Sequence, residues 1–320
     1  PPAGVISGTP NAANIFNFSI QATSSNGFAG QRAYTVNVLR ASQTITNMAA
    51  SPASPVFSQG GSFTVSASGG ASGSPVVFSV APASAAVCAA SGPNGATIQM
   101  LASGACQLLA NQAGNANYEN AAPASLSVPI TKAAQTISAV VATPANPVFS
   151  QGGTFAVSAS GGGSSEPVIF SVAASSASVC SAAGTNGVLI ATHSAGTCTV
   201  QANQAGDANY QAAAQRVQDI AIGKGAQTIS ISSVQPTNPR VGESYEVVTV
   251  AGPSTAPLTL AASGACSAVA KTVSFDAVGS CTITASQKGD ANYLDAADVT
   301  QTMVVAQGGS GVEIGSSPNP

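Results

Sequence analysis

Six cysteines, one histidine and a thin scatter of carboxylates and lysines carry what covalent or metal chemistry this 320-residue chain could offer. The cysteines fall into three pairs, Cys88 with Cys106, Cys180 with Cys198 and Cys266 with Cys281, at separations of 18, 18 and 15 positions. None shows the C-x2-C spacing of a zinc ribbon or a thioredoxin-like site. Disulfides formed in an oxidising compartment are the better reading, with redox, metal-binding and intermolecular roles as the alternatives. Closing a loop of about 15 residues is worth roughly 3 kcal/mol in the chain-entropy model. That gain matters where much of the apolar content is alanine, which buries little area.

The other candidates are weaker. His193 falls where a repeat of the same sequence has Leu101, so it reads as a solvent-facing side chain, and no second histidine or placed acid completes a Ser-His-Asp arrangement. Lysines that could form isopeptide bonds are rare and sit at junctions, as Lys132 and Lys224 do. Calcium takes six to eight oxygen ligands, and only Asp290, Asp295 and Asp298 gather enough carboxylates to suggest it. Asn17-Phe18-Ser19 matches a loose glycosylation pattern. The chain therefore reads as no enzyme, with no cofactor and no metal.

Charge narrows the classes further. Lys and Arg number 8, Asp and Glu 11, so charged residues are 6% of the chain and the net charge is −3, against a usual charged share of about 25%. Eight scattered basic residues make no patch to neutralise phosphates, which excludes nucleic acid and anionic membranes as expected partners. A hydrophobic share of 44% with so little net charge argues for folding rather than disorder. No apolar run is long enough for a transmembrane helix, and the opening Pro1-Pro2-Ala3 suggests a processed or excerpted region whose secretion signal and anchor lie elsewhere.

The elements that position these residues are repeats. Gln-Thr-Ile begins at Gln43, Gln135 and Gln227, two steps of 92, and both members of the first cysteine pair recur at the same interval. Residues 43–134 align with 135–226 without a gap and are identical at about half the positions; a third copy is 9 residues shorter between Gln-Thr-Ile and its tyrosine. A period near 90 suits a sandwich domain of about 100 residues rather than a solenoid. Phe63, Val65 and Ala67 alternate with Thr64, Ser66 and Ser68, and Cys106, Leu108 and Ala110 share one face of another strand. Turn signals such as Asn94-Gly95 and Asn186-Gly187 separate the strands. The expected fold is all-β, tandem immunoglobulin-like antiparallel β-sandwiches arranged as a rod through short linkers.

Each repeat closes on Gly-x-Ala-Asn-Tyr, at Gly114–Tyr118, Gly206–Tyr210 and Gly289–Tyr293. Tyr118, Tyr210 and Tyr293 are expected to be structural, each laying its ring over the end of a sandwich and hydrogen-bonding a backbone group. A ligand role for Asn115, Asp207 and Asp290 is the alternative. These units, with Gly-Gly-(Ser/Thr)-Phe-x-Val-Ser-Ala-Ser between Gln-Thr-Ile and the cysteines, resemble the Ig-like repeats of large bacterial secreted and surface proteins. Residues 1–40, with Gly4–Pro10 and Phe16–Ile20, are similar to the second half of an Ig-like module common in those proteins. The division expected is a partial module over 1–40, repeats over 41–132, 133–224 and 225–307, and a tail over 308–320.

The resemblance implies a non-catalytic structural or adhesive fibre or stalk, extracellular and at the bacterial cell surface. The partners expected are itself or other cell-surface components. The half-module lacks its first strands, and the tail alternates Val312 and Ile314 with polar residues as a short strand would. Donation of that strand to the next subunit's half-module would give a head-to-tail filament; an arbitrary excerpt of a longer chain is the alternative and the better-supported reading. A glycan- or receptor-binding module acting through domain-end loops is the alternative, weakened by the absence of tryptophan.

Overall fold

The computed structural model describes residues 5–309. Val312 and Ile314, the residues of the expected donated strand, lie outside that range. No α-helix occurs among the described residues; the helical content is limited to single 3-10 turns. The chain forms two compact units. One gathers the residues up to Thr136 with Gly162–Glu166 and Ala205–Ala213, and the other holds Ile137–Gly161, Pro167–Gln204 and the residues from Ala214 onward.

The first unit opens with an antiparallel hairpin of β1 (Asn14–Thr23) and β2 (Ala29–Val38), in which Phe16 faces Val36 and Phe18 faces Tyr34. A full sandwich follows. Its first sheet has the order β3-β4-β7-β6, from β3 (Thr46–Ser51), β4 (Ser62–Ser68), β6 (Cys88–Ser91) and β7 (Thr97–Met100); its second is β5-β8-β9, from β5 (Val76–Val80), β8 (Gly104–Gln112) and β9 (Ala124–Ile130). Alternation along these strands dictates the packing, because every second side chain points to one face. Phe63 and Val65 from one sheet meet Cys106, Leu108 and Val128 from the other in a single buried cluster. Between β6 and β7, Asn94 takes φ 52° and Gly95 φ 72°. A Cβ on Gly95 would lie 2.1 Å from the Phe78 carbonyl oxygen, so this tight turn admits glycine alone.

The second unit repeats the plan. β10 (Val141–Thr143), β11 (Thr154–Ser158), β13 (Cys180–Ala183) and β14 (Leu189–Thr192) form the sheet β10-β11-β14-β13, and β12 (Val168–Val172), β15 (Gly196–Gln204) and β16 (Arg216–Ile222) form β12-β15-β16. In the third repeat the first sheet is divided. A two-residue pair of β17 (Ser230–Ile231) and β19 (Thr249–Val250) stands apart from β18-β22-β21, made of β18 (Ser244–Glu246), β21 (Cys266–Val269) and β22 (Thr272–Phe275). The other sheet, β20-β23-β24, is built from β20 (Leu258–Gly264), β23 (Gly279–Gln287) and β24 (Val299–Val305). These are tandem Ig-like sandwiches of antiparallel sheets.

Three disulfides cross the cores, Cys88–Cys106, Cys180–Cys198 and Cys266–Cys281. In the first two repeats each bond ties the edge strand of one sheet to the central strand of the other. Replacing Cys88 and Cys106 together by alanine should lower the stability of the first sandwich by about 3 kcal/mol, as expected for an 18-residue separation. Urea unfolding under non-reducing conditions measures this, and an unchanged midpoint would refute the assignment of stability to the bond.

Candidate functional site

The Gly-x-Ala-Asn-Tyr loops form the most regular constellation of polar and aromatic side chains in the chain. In each, the residue after glycine caps its own turn: Asn115 Oδ1 accepts the N–H of Asn117 (2.8 Å) and Tyr118 (3.0 Å). Asp207 does the same for Asn209 and Tyr210 (2.8 and 2.9 Å), and Asp290 for Asn292 and Tyr293 (2.8 and 3.0 Å). The glycine is required by closeness, since a Cβ on Gly114, Gly206 or Gly289 would lie 2.3, 2.3 or 2.1 Å from the tyrosine carbonyl oxygen.

Asp290 is the most perturbed of these groups. The N–H of Thr255, then those of Asn292 and Tyr293, hold its carboxyl down at about 2. Asp207 is likewise lowered, first by the Asn209 N–H. Asp295 is lowered by the Gly289 N–H and by Lys288, with which it forms an exposed ion pair at 2.8 Å. Asp290 and Asp295, two of the three carboxylates that suggested a calcium site, are thus engaged with protein donors. Among the described residues, no three His, Cys, Asp or Glu side chains gather as a metal would need.

The asparagine and tyrosine of each loop reach outward. Asn209 Oδ1 accepts the Ser103 N–H (2.8 Å) at the end of the first sandwich, and Asn292 Oδ1 accepts the Ala195 N–H (2.9 Å) at the end of the second. Tyr210 meets Phe57 edge to face at 5.8 Å and 90°, and Tyr293 meets Phe149 at 5.4 Å and 74°. Lys132 and Lys224 donate to the carbonyls of Asp207 and Asp290 (2.6 and 2.5 Å). Short parallel bridges, Ala133 with Tyr210 and Gly225 with Tyr293, align the incoming chain. Asn117 and Tyr118 repeat the pattern toward the hairpin: Asn117 Oδ1 accepts the Ala13 N–H (2.9 Å), and Ala41 bridges to Tyr118. The linker lysines therefore sit in the joints.

Reading the sequence treated Gln-Thr-Ile only as a landmark and missed what its glutamine does. Buried Gln43 donates to the carbonyls of Ala113 and Glu119 and accepts the Ser72 N–H, so one amide ties three loop segments. Gln227 repeats this with Lys288, Leu294 and Ser254. Constancy at a fixed step beside an apolar residue was the available signal. His193 is exposed and contacts Ser181 Oγ at 2.9 Å, with no acid in the contact.

No protein-family model matches the sequence, and no curated protein does. Among solved structures, domains 1–6 of the surface layer protein SbsC share 14% identity over 92% of this chain and 45% of that one, with a TM-score of 0.30. This chain thus spans less than half of the SbsC chain. Cadherin domains 1–5 of protocadherin gamma B2 share 12% over 94% and 73%, TM-score 0.28. A Ca2+-stabilised adhesin with which an Antarctic bacterium reaches out and binds ice shares 14% over 91% and 82%, TM-score 0.30. Likenesses this distant leave function to the residues themselves.

Two outcomes follow from the loop geometry. Asp290 has a folded pKa below its unfolded one, so the stability it lends is complete above the ordinary carboxylate range near 4 and is lost as pH falls through about 2. Asp290→Asn should flatten that acid limb in thermal unfolding; an identical pH profile would count against the cap. Asn292→Ala should cost about 1 kcal/mol and speed amide exchange at Ala195, which loses its acceptor.

Proposed function

We propose that the chain is a non-catalytic extracellular spacer of the bacterial surface, in which disulfide-locked sandwiches succeed one another through repeated joints so that attachment or linkage is held at a distance. One observation supports this above others: the same Asn-to-backbone, Phe-to-Tyr and Lys-to-carbonyl contacts recur between Asn209, Tyr210 and the first sandwich and between Asn292, Tyr293 and the second. An enzyme has no need to repeat its joints; a spacer does. The loops at these ends are spent on neighbours, which leaves little of them for a glycan. Three disulfides accord with an oxidising setting such as the secretory route provides.

Self-association belongs to this reading. The free edge of β1 takes a strand from the tail of a second copy, with Val312 and Ile314 laid on the apolar face of the hairpin. Light scattering on the chain with and without residues 308–320 reads this directly. Oligomers that revert to monomers on deletion are expected; monomers in both cases remove the donation and leave the spacer.

The spacer itself is tested at the second joint. Phe149→Ala and Tyr293→Ala should each cost about 3 kcal/mol locally. NMR relaxation should then show the third sandwich tumbling independently of the second. Independent tumbling already present in the unaltered chain would refute the spacer.

A further inference from the structure

The β1–β2 hairpin occupies the place that β8–β9 and β15–β16 occupy in complete sandwiches. Each first strand begins one residue after the amide held by the next loop's asparagine: Ala13 by Asn117, Ser103 by Asn209, Ala195 by Asn292. Each second strand ends three residues before the parallel bridge to the next tyrosine, at Ala41, Ala133 and Gly225. The strand registers agree as well, with Asn14 opposite Val38, Gly104 opposite Ile130 and Gly196 opposite Ile222. Phe16 and Val36 thus stand where Cys106 and Val128 stand, yet they are 42% and 45% exposed against 0% and 1%.

One component of the joint is missing at this first position. In the first two sandwiches, those followed by another repeat, a Pro-x-Phe segment runs parallel to the chain leaving the last strand; in the third the same place holds Pro239-Arg240-Val241. Thr131 donates its N–H to the Pro55 carbonyl and accepts from the Phe57 N–H; Gly223 does the same with Pro147 and Phe149. The phenylalanine then meets the next tyrosine. The residue equivalent to Thr131 in the hairpin is Leu39, one after Val38 and two before the bridge at Ala41, and it is 76% exposed. Among the described residues, nothing pairs with its backbone. A groove of about 190 Å3 of mixed polar and apolar lining, with Pro10, Asn11, Val38, Leu39, Asn117 and Tyr118 among its walls, lies beside this backbone.

We infer that this groove beside Tyr118 is a docking site for an extended polypeptide segment of the Pro-x-Phe kind, which pairs in parallel with Leu39 and sets its ring edge-on to Tyr118. The two filled joints in the same chain define the occupant's chemistry: first a proline, which has no N–H and accepts through its carbonyl, an outward residue next, an aromatic ring third. The site is distinct from the free edge of β1, and the inference rests on the joint being a recurring device.

A tethered probe tests it. The full chain is extended ahead of Pro1 by a flexible Gly/Ser linker preceded by the sequence of residues 53–60, Ala-Ser-Pro-Val-Phe-Ser-Gln-Gly, so that the segment is present at an effective concentration in the millimolar range. Exchange of the Leu39 amide should slow by about tenfold, and the Tyr118 ring protons should shift upfield. The same extension with alanine for phenylalanine should do neither. Equal behaviour of the two extensions, or no slowing with either, would overturn the inference. A free peptide of residues 308–320 is added separately to the unextended chain; slowing of Leu39 exchange by this peptide, which has no aromatic residue, would also overturn it. Because the Phe149–Tyr293 joint is measured elsewhere in the molecule, failure here with that joint intact removes the docking site alone.

Discussion

Backbone amides and carbonyls at the open ends of a β-sandwich have no ladder to join, and leaving them buried without partners would cost about as much as the sandwich can spare. This chain meets that constraint with side-chain carboxamides. Gln43 and Gln227 bind the loops of their own repeat from within, and Gln112 accepts the Gly70 N–H and donates to the Ser74 carbonyl. Asn209 and Asn292 satisfy an amide of the repeat before. A carboxamide carries no charge, so it serves these ends without the desolvation that a buried ion would bring.

Low charge and an alanine-rich composition follow the same logic. Ala110, Ala202 and Ala285 are fully buried in the central strands. Cores of this kind gain less from burial than Leu- or Ile-rich ones, which is why a covalent crossing between sheets has weight here. The third repeat, with a shorter chain and a divided first sheet, relies instead on Tyr245, Val247 and Phe275 around its disulfide.

Strand periodicity made much of this visible beforehand. Phe63 and Val65, or Cys106 and Leu108, declare a buried face because alternation has a period of two and few competing signals interrupt it. The pairing of Tyr210 with Phe57, or of Asn209 with Ser103, was not legible. A motif repeated in every unit shows that its residues matter, but the partner lies more than a hundred positions away and in another copy, and periodicity within one copy carries no record of it. The glutamine of Gln-Thr-Ile was hidden for a related reason: three backbone groups from separate loops converge on it, and none has a side-chain signature. The division of the first sheet in the third repeat was equally hidden, since a deletion of 9 residues shortens a loop or breaks a sheet depending on which hydrogen bonds it removes.

The placement of the disulfides has a mechanical corollary. When a tethered chain is pulled by its ends, the residues between two bonded cysteines carry no load, so the 18 positions from Cys88 to Cys106 stay out of the force path even after the sandwich has opened. At about 3.4 Å per extended residue, that shelters roughly 60 Å of contour length in each of the first two repeats. A chain built this way yields under tension by a limited, repeatable increment per domain, and the oxidation state of its surroundings sets how far it can stretch.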